Sequence, residues 1–152
     1  MAPRIEIWFP DGKDQYEPGD VLECRYHIVD AGDMQFTSLE ASVLWYTEGK
    51  GEEDLLVNRF ERRVASSRRD ELLQEQVIRA TLPNSPLSYE GVIVKVIWCV
   101  RIKAFSPKGK RLVQDRVFQL GKVPPAKRLE EVRRVDAPAA AVQAESTAES
   151  AT

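Results

Sequence analysis

The sequence predicts an all-β fold, an antiparallel immunoglobulin-like β-sandwich of about eight strands followed by a flexible C-terminal tail. Up to residue 123, apolar and polar residues alternate with period two in most segments, which is the pattern of strands with one buried face. Proline and glycine turn signals separate these segments at short intervals. Almost no segment has helical periodicity, so two packed antiparallel sheets are the favoured architecture.

The N-terminal third contains three predicted strands. The first is Arg4 to Phe9, which alternates and ends at the turn Pro10-Asp11-Gly12. Pro18 and Gly19 then supply the fixed φ and the positive φ that the central positions of a type II turn require. The second and third strands are marked by two rows of apolar residues at alternate positions: Leu22, Cys24, Tyr26 and Ile28, then Leu39, Ala41, Val43 and Trp45.

The middle of the chain has a weaker pattern. Leu55 to Arg62 is a further strand candidate, and Val77 to Leu82 is another. Between Arg63 and Gln76 the alternation fades, and a charged loop is favoured over a helical turn because so short a helix has little stability of its own.

The stretch from Leu82 to Gly91, LPNSPLSYEG, organises the rest of the predicted fold. Pro83 and Pro86 exclude regular helix and keep the backbone extended or turned, and Gly91 allows a free turn. The following segment, Val92 to Phe105, alternates over a long distance with every even position apolar. It predicts a half-buried strand in the middle of the sandwich.

The last predicted strand is Arg111 to Leu120, which follows a hairpin turn at Pro107-Lys108-Gly109-Lys110. Its alternation slips near Gln114 to Arg116, which predicts a β-bulge. From Pro124 the composition changes to a charged segment and then to Ala, Ser, Thr and Glu. Such a segment cannot bury enough surface to offset its ordering entropy. We therefore predict one sandwich domain over residues 1–123 and a largely disordered tail over 124–152.

Two motifs resemble the arrestin family. The segment YEPGDVLEC, which begins at Tyr16, is similar to the "Y.PGE.L.G.V" hairpin of arrestins, and LPNSPLSYEG with its valine-rich strand is similar to their "LP…P.SYEG" and "VRYYVKA.L..P". The resemblance covers roughly residues 4–123 and implies a single arrestin N-domain-like sandwich, whereas arrestins have two such domains in tandem. In these segments we expect structural roles for seven residues: Pro18, Gly19, Pro83, Pro86, Tyr89, Gly91 and Trp98.

Composition excludes several classes of protein. No apolar run reaches the roughly 18 residues of a membrane-spanning helix, and the N-terminus lacks an apolar signal segment, which predicts a cytoplasmic protein. A net charge of −2 argues against a nucleic-acid-binding domain. Cys24 and Cys99 differ in their positions relative to the apolar rows, which argues against a disulfide.

The sequence offers no residues for catalysis. His27 is the single histidine, and its spacing from Cys24 places the two side chains on opposite faces of a strand, so neither a metal nor a cofactor is expected. Ser85 and Ser88 lie in the proline stretch without a nucleophile motif, and paired acids occur only in loops. The prediction is that the protein is not an enzyme. The tryptophans, which could stack ligands, are better explained by core packing at Trp45 and Trp98.

Six basic residues form a candidate partner-binding set. Three are predicted on the mixed face of the long strand and three at its hairpin tip: Lys95, Arg101, Lys103, Lys108, Lys110 and Arg111. Arginine and lysine bind anionic oxygens, so an acidic or phosphorylated partner would suit them; a merely solvated sheet face is the other interpretation. Arrestin-like proteins read phosphates with basic residues, but these six do not align with those sensor positions.

We expect a non-catalytic protein-interaction adaptor or scaffold. Its partner would be another protein, a second copy of itself or a larger assembly, bound by strand addition to an exposed sheet edge or on a sheet face. The alternative is electrostatic binding of a phosphorylated or membrane-surface ligand through the basic hairpin Lys108 to Arg111.

Overall fold

The computed structural model describes residues 2–51, 53–65 and 71–122, so the predicted tail over 124–152 lies outside the described residues. The described chain forms nine strands and a 3-10 turn, and the predicted all-β fold is confirmed. In order, the elements are β1 (Arg4–Trp8), β2 (Gln15–Tyr16), β3 (Val21–Val29), β4 (Ser38–Gly49), β5 (Leu55–Val64), the 3-10 turn Glu71–Leu73, β6 (Gln76–Thr81), β7 (Tyr89–Glu90), β8 (Val94–Phe105) and β9 (Arg111–Leu120).

The strands form two sheets that pack face to face. The smaller sheet has the order β1-β3-β6, and the larger sheet has the order β2-β9-β8-β4-β5, with β7 paired to β8. Every pairing is antiparallel except that of β2 with β9, which is parallel. The predicted antiparallel sandwich thus contains one short parallel pair. Main-chain bonds from Gln119 N to Asp14 O and from Gly121 N to Tyr16 O, both 2.8 Å, hold the short parallel pair in place.

The core lies between the two sheets and is built from the alternating rows. Side chains of β3, β4 and β8 fill its centre, and several are completely buried. At one end, the rings of Phe9, Tyr16 and Phe118 meet edge to face, with centroids 5.8–6.1 Å apart. Trp98 packs against Phe118 at 5.9 Å. The aromatic contacts join the end of β1 and the pair β2–β9 to the centre of the larger sheet.

The proline stretch is attached to the larger sheet by specific hydrogen bonds. Trp98 Nε1 donates to the carbonyl oxygen of Pro86 at 2.7 Å. Ser88 N donates to Leu120 O at 2.8 Å, and Leu120 N donates to Ser88 Oγ at 2.7 Å. Because these bonds join the stretch to both β8 and β9, its path across the end of the sheet is fixed by the strands behind it.

The long central strand begins two residues later than predicted. Gly91 N donates to Val94 O at 2.9 Å, which closes a tight turn between β7 and β8. Val92 and Ile93 occupy that turn and are 70% and 68% exposed. A Cβ on Gly91 would lie 2.6 Å from Val94 O. Glycine is therefore needed at this position, because any side chain would clash with the main chain of β8.

The bulge predicted in the last strand is absent. The pairing of β8 with β9 runs without a register shift from Phe105 opposite Arg111 to Trp98 opposite Phe118. Gln114 and Arg116 interrupt the apolar pattern because they are exposed at the periphery of the sandwich, where the guanidinium of Arg116 lies 5.8 Å from the ring of Phe9. The register shift that does occur lies between β4 and β5, at Val43/Leu44.

Candidate interaction site on the larger sheet

Strand β5 is the longest open edge of the sandwich. Within the described part of the chain, its main chain pairs with β4 alone. It has ten residues, whereas the edge strands β1, β6 and β2 have five, six and two. An unpaired row of N–H and C=O groups of this length is a template for another strand. The main-chain edge of β5 is therefore the best-formed docking element of the fold.

The side chains of β5 are unusually apolar for an exposed strand. Phe60 is 49% exposed and Val57 is 43% exposed. The remaining large apolar residues of β5 that face solvent are Leu55, Leu56 and Val64. Burying exposed apolar groups lowers the free energy, so a cluster of such side chains is typical of an interaction surface.

The apolar character of β5 continues across the outer face of the larger sheet. In register, Val57 lies opposite Leu44, Leu44 opposite Cys99, and Cys99 opposite Val117. This row points away from the core because the neighbouring residues Val43 and Val100 belong to the core cluster. We call it the outer apolar row. It ends in the exposed side chains Val57 and Val117, while Leu44 and Cys99 between them are buried.

The inner side of β5 is charged and closes the gap to the smaller sheet. Arg59 Nη2 lies 2.8 Å from Glu61 Oε2, and Arg63 Nη2 donates to Val77 O at 3.4 Å. Asn58 Nδ2 donates to Thr81 O at 3.3 Å. Arg63 and Asn58 thus donate hydrogen bonds to main-chain carbonyl groups of β6. The edge of β6 is therefore partly satisfied and less available than that of β5.

Arg101, one of the six predicted binding residues, is already paired. Its Nε and Nη2 donate to the two carboxylate oxygens of Asp115 at 2.8 and 3.0 Å, and its guanidinium lies 5.7 Å from the ring centroid of Tyr46. The hydrogen bonds to Asp115 raise the pKa of Arg101. Bidentate pairing uses the groups that would otherwise bind an anion.

The other five basic residues fall into two places. Lys95 lies near the start of β8, 3.8 Å from Glu90. Since β8 rises roughly 3.3 Å per residue, Lys95 is about 30 Å from the hairpin at the far end. Among the described residues, the four at the hairpin end form no ion pair: Lys103, Lys108, Lys110 and Arg111. The structure thus brings together four of the six predicted residues.

A groove of about 460 Å³ opens where β9 separates from β8 and β7 takes its place. Its polar lining includes Asp14, Ser88 and the pair Glu90–Lys95, and its apolar lining includes Val117. Ser88 Oγ already accepts a hydrogen bond from Leu120 N. The groove adjoins the outer apolar row through Val117, so it forms one end of the same surface.

Other polar side chains have local partners. His27 Nε2 lies 3.1 Å from Glu6 Oε1, and its ring meets Trp8 edge to face at 5.1 Å. Cys24 and Cys99 are free and buried, and burial raises the pKa of each thiol to about 12. In residues 2–51, 53–65 and 71–122, no group of three or more His, Cys, Asp or Glu could hold a metal ion.

Sequence reasoning placed a strand near β5 but missed its role as an open edge. The signal was present in two features: a strand segment whose apolar residues do not alternate, beginning with Leu55-Leu56-Val57, and the interspersed residues Arg59, Arg62 and Arg63. Charged residues of this kind protect edge strands from indiscriminate pairing. A strand with no buried face is typical of the edge of a sheet.

Comparison with known proteins supports the fold. No family model matches the chain, and no curated protein matches it. The structure of Spo0M, a sporulation control protein from Bacillus subtilis, is similar with a TM-score of 0.56 and 16% identity, covering 82% of this chain and 51% of that one. This chain therefore spans about half the length of the Spo0M structure. At this identity the likeness concerns the β-sandwich fold alone.

Superoxide reductases (neelaredoxins) from Ignicoccus hospitalis also match. They have TM-scores of 0.44–0.45 and 8–9% identity, and cover 78–80% of this chain and 80–81% of theirs. The prediction that this protein is not an enzyme is corrected by these matches, because enzymes are among the similar structures. At such TM-scores they assign no activity to this chain.

The fold and the site define a class: a β-sandwich with a long open edge strand and an outer apolar row on its larger sheet. No helix in the described part of the chain is long and apolar enough to span a membrane.

Proposed function

We propose that this protein binds another protein through β5, which accepts an extended segment of the partner as an added strand. The observation that carries the proposal is a ten-residue edge strand, paired on one side and bearing five exposed large apolar side chains. Main-chain hydrogen bonds to β5 would supply much of the affinity, and apolar contacts on the outer face would supply selectivity.

The main-chain direction of β5 identifies where an added strand would bond. Ala65 N donates to Thr37 O at 2.8 Å, so residue 65 directs its main-chain groups toward β4. Since main-chain direction alternates along a strand, Phe60, Arg62 and Val64 direct theirs to the open side. Arg62 is the most useful of the three, because its side chain is 56% exposed and its nearest carboxylate, that of Glu40, is 3.9 Å away.

The test is affinity capture from native lysate with Arg62→Pro and Arg62→Ala as a matched pair. Both substitutions remove the charge, but only proline removes the open-side N–H while leaving the bonds to β4 intact. We expect wild type and Arg62→Ala to retain the same partner and Arg62→Pro to lose it. Equal retention by Arg62→Pro and Arg62→Ala would refute strand addition at β5.

A second candidate function is electrostatic binding of an anionic ligand at the hairpin end. The observation that favours it is that Lys108, Lys110 and Arg111 are exposed and form no ion pair with any described residue. The triple substitution of these residues to Glu should abolish such binding, and added salt should weaken it steeply. Capture that survives this triple substitution but not Arg62→Pro would select the first candidate.

A further inference from the structure

We infer that β5 also pairs with β5 of a second copy of this chain, antiparallel about a two-fold axis that passes beside Arg62. The inference rests on the proposed function, because it names one partner of the same edge. Three features of β5 carry it: the direction of its main-chain groups, the order of its charged residues and the order of its apolar residues.

The main chain restricts the register. Residues opposite one another in an antiparallel pair must both direct their main-chain groups toward the partner or both away. The regular part of β5 is C-terminal to the register shift and runs from Arg59 to Val64. A two-fold axis at Arg62 pairs Phe60 with Val64 of the other copy, Val64 with Phe60, and Arg62 with itself. The main-chain groups of all three residues point to the open side, so this register uses the regular segment from Phe60 to Val64.

The charges on the inner side agree with this register. With the axis at Arg62, Glu61 of each copy lies opposite Arg63 of the other, which gives two pairs of opposite charge. With the axis one residue earlier, Glu61 would face Glu61 and Arg59 would face Arg63. Like charges placed directly opposite are destabilising, so an axis at Arg62 is favoured over one at Glu61.

The outer face adds two apolar pairs and one unfavourable pair. Phe60, which is 49% exposed, meets Val64, which is 61% exposed, on both sides of the axis. An aromatic residue opposite a β-branched residue is a favourable cross-strand pair. On the axis itself, Arg62 faces Arg62. This like-charge pair weakens the dimer, so we expect a reversible association that another strand can displace.

The on-axis arginine makes the register testable by sedimentation velocity on the full chain over a concentration series. Wild type should show a concentration-dependent dimer. Arg62→Ala should lower the dimer Kd by about twofold to fivefold, because it removes the like-charge pair. Arg62→Pro should raise the Kd on the order of tenfold or more, because it blocks the central main-chain bonds.

A mixing experiment identifies the axis. In a mixture of wild type and Arg62→Glu, mixed dimers place Glu opposite Arg. The fraction of mixed dimers should therefore exceed the fraction expected from random exchange of subunits. Wild type mixed with Arg62→Gln is the control and should show a much smaller excess. Circular dichroism of each variant verifies that the sandwich is folded. Random exchange with Arg62→Glu, or a dimer that Arg62→Pro leaves unchanged, would overturn the inference.

The outcome separates this inference from the proposed function. If wild type and Arg62→Ala remain monomers at every concentration while Arg62→Pro loses its lysate partner, self-pairing is wrong and strand addition by another protein stands. If the dimer responds as expected while no captured protein depends on Arg62, self-pairing stands and the binding of another protein is wrong.

Discussion

At the scale of single residues, Trp98 connects the proline stretch to the core. Its ring is 1% exposed and packs against Phe118, and its Nε1 donates to Pro86 O at 2.7 Å. The alternation of its strand predicts an inward position for this residue. Its hydrogen bond to Pro86 could not be predicted, because it depends on how the preceding loop returns over the sheet.

We expect Trp98→Ala to lower the free energy of unfolding by about 3–5 kcal/mol, because it leaves a large cavity in the core. Trp98→Phe should cost less, about 1–3 kcal/mol, chiefly because Pro86 O loses its donor. Urea denaturation of both variants measures these values. A loss below about 1 kcal/mol for Trp98→Ala would show that the ring does not support the core.

At the scale of elements, the outer face of the smaller sheet is a network of ion pairs. Glu23 on β3 accepts hydrogen bonds from Arg79 on β6 at 2.9 Å and from Arg25 on β3 at 3.2 Å. Arg25 also bonds Glu75 at 2.7 Å. These bonds, first the one from Arg79, hold the pKa of Glu23 below its ordinary value. The outer face of the smaller sheet is therefore polar along β3 and β6, whereas the larger sheet carries the outer apolar row.

This lowered pKa predicts a pH-dependent contribution to stability. Because the folded-state pKa lies below the unfolded-state value, the contribution is present at neutral pH and is lost as the pH falls through the folded-state pKa. Glu23→Gln should therefore melt below wild type at neutral pH, and the difference should close under acid conditions. Thermal melts of both proteins between about pH 7 and about pH 3 test this. A difference that does not change with pH would contradict it.

At the scale of the whole molecule, the fold mixes segments that differ in charge along the sequence. Residues 1–54 carry 13 acidic and 4 basic side chains, and residues 55–134 carry 8 and 18. In the sandwich, β3 of the first segment lies beside β6 of the second, and β4 of the first lies between β8 and β5 of the second. Glu23 pairs with Arg79, and Glu40 lies 3.9 Å from Arg62. These two ion pairs thus join the acidic segment to the basic one.

The reactivity of the two cysteines shows whether the two sheets of the sandwich are packed together. Cys24 lies on β3 of the smaller sheet and Cys99 on β8 of the larger one, and both are buried with a pKa raised to about 12. Native thiols should react with a soluble thiol reagent at least about a hundredfold more slowly than Lys108→Cys, which places a thiol on the exposed hairpin. Urea should remove the difference. Equally fast labelling of either native cysteine would place it in solvent.

The sequence by itself determined the alternation of the strands, the positions of most turns and hence the two-layer β fold. These features are local: the apolar rows of β3, β4 and β8 and the turns at Gly19 and Gly109 follow from side-chain period and backbone freedom. It also indicated the basic residues of the hairpin end, but not that Arg101 is neutralised by Asp115, which is fourteen residues away.

Only the tertiary structure decided which strand is an edge and which apolar residues stay in solvent. Strand order places β5 at the end of the larger sheet and β8 in its interior, although both segments are rich in apolar residues. The two-residue period of a strand fixes the face on which each side chain lies. Whether another strand or sheet covers that face depends on pairing between distant segments, and the candidate site on β5 exists because that pairing ends there.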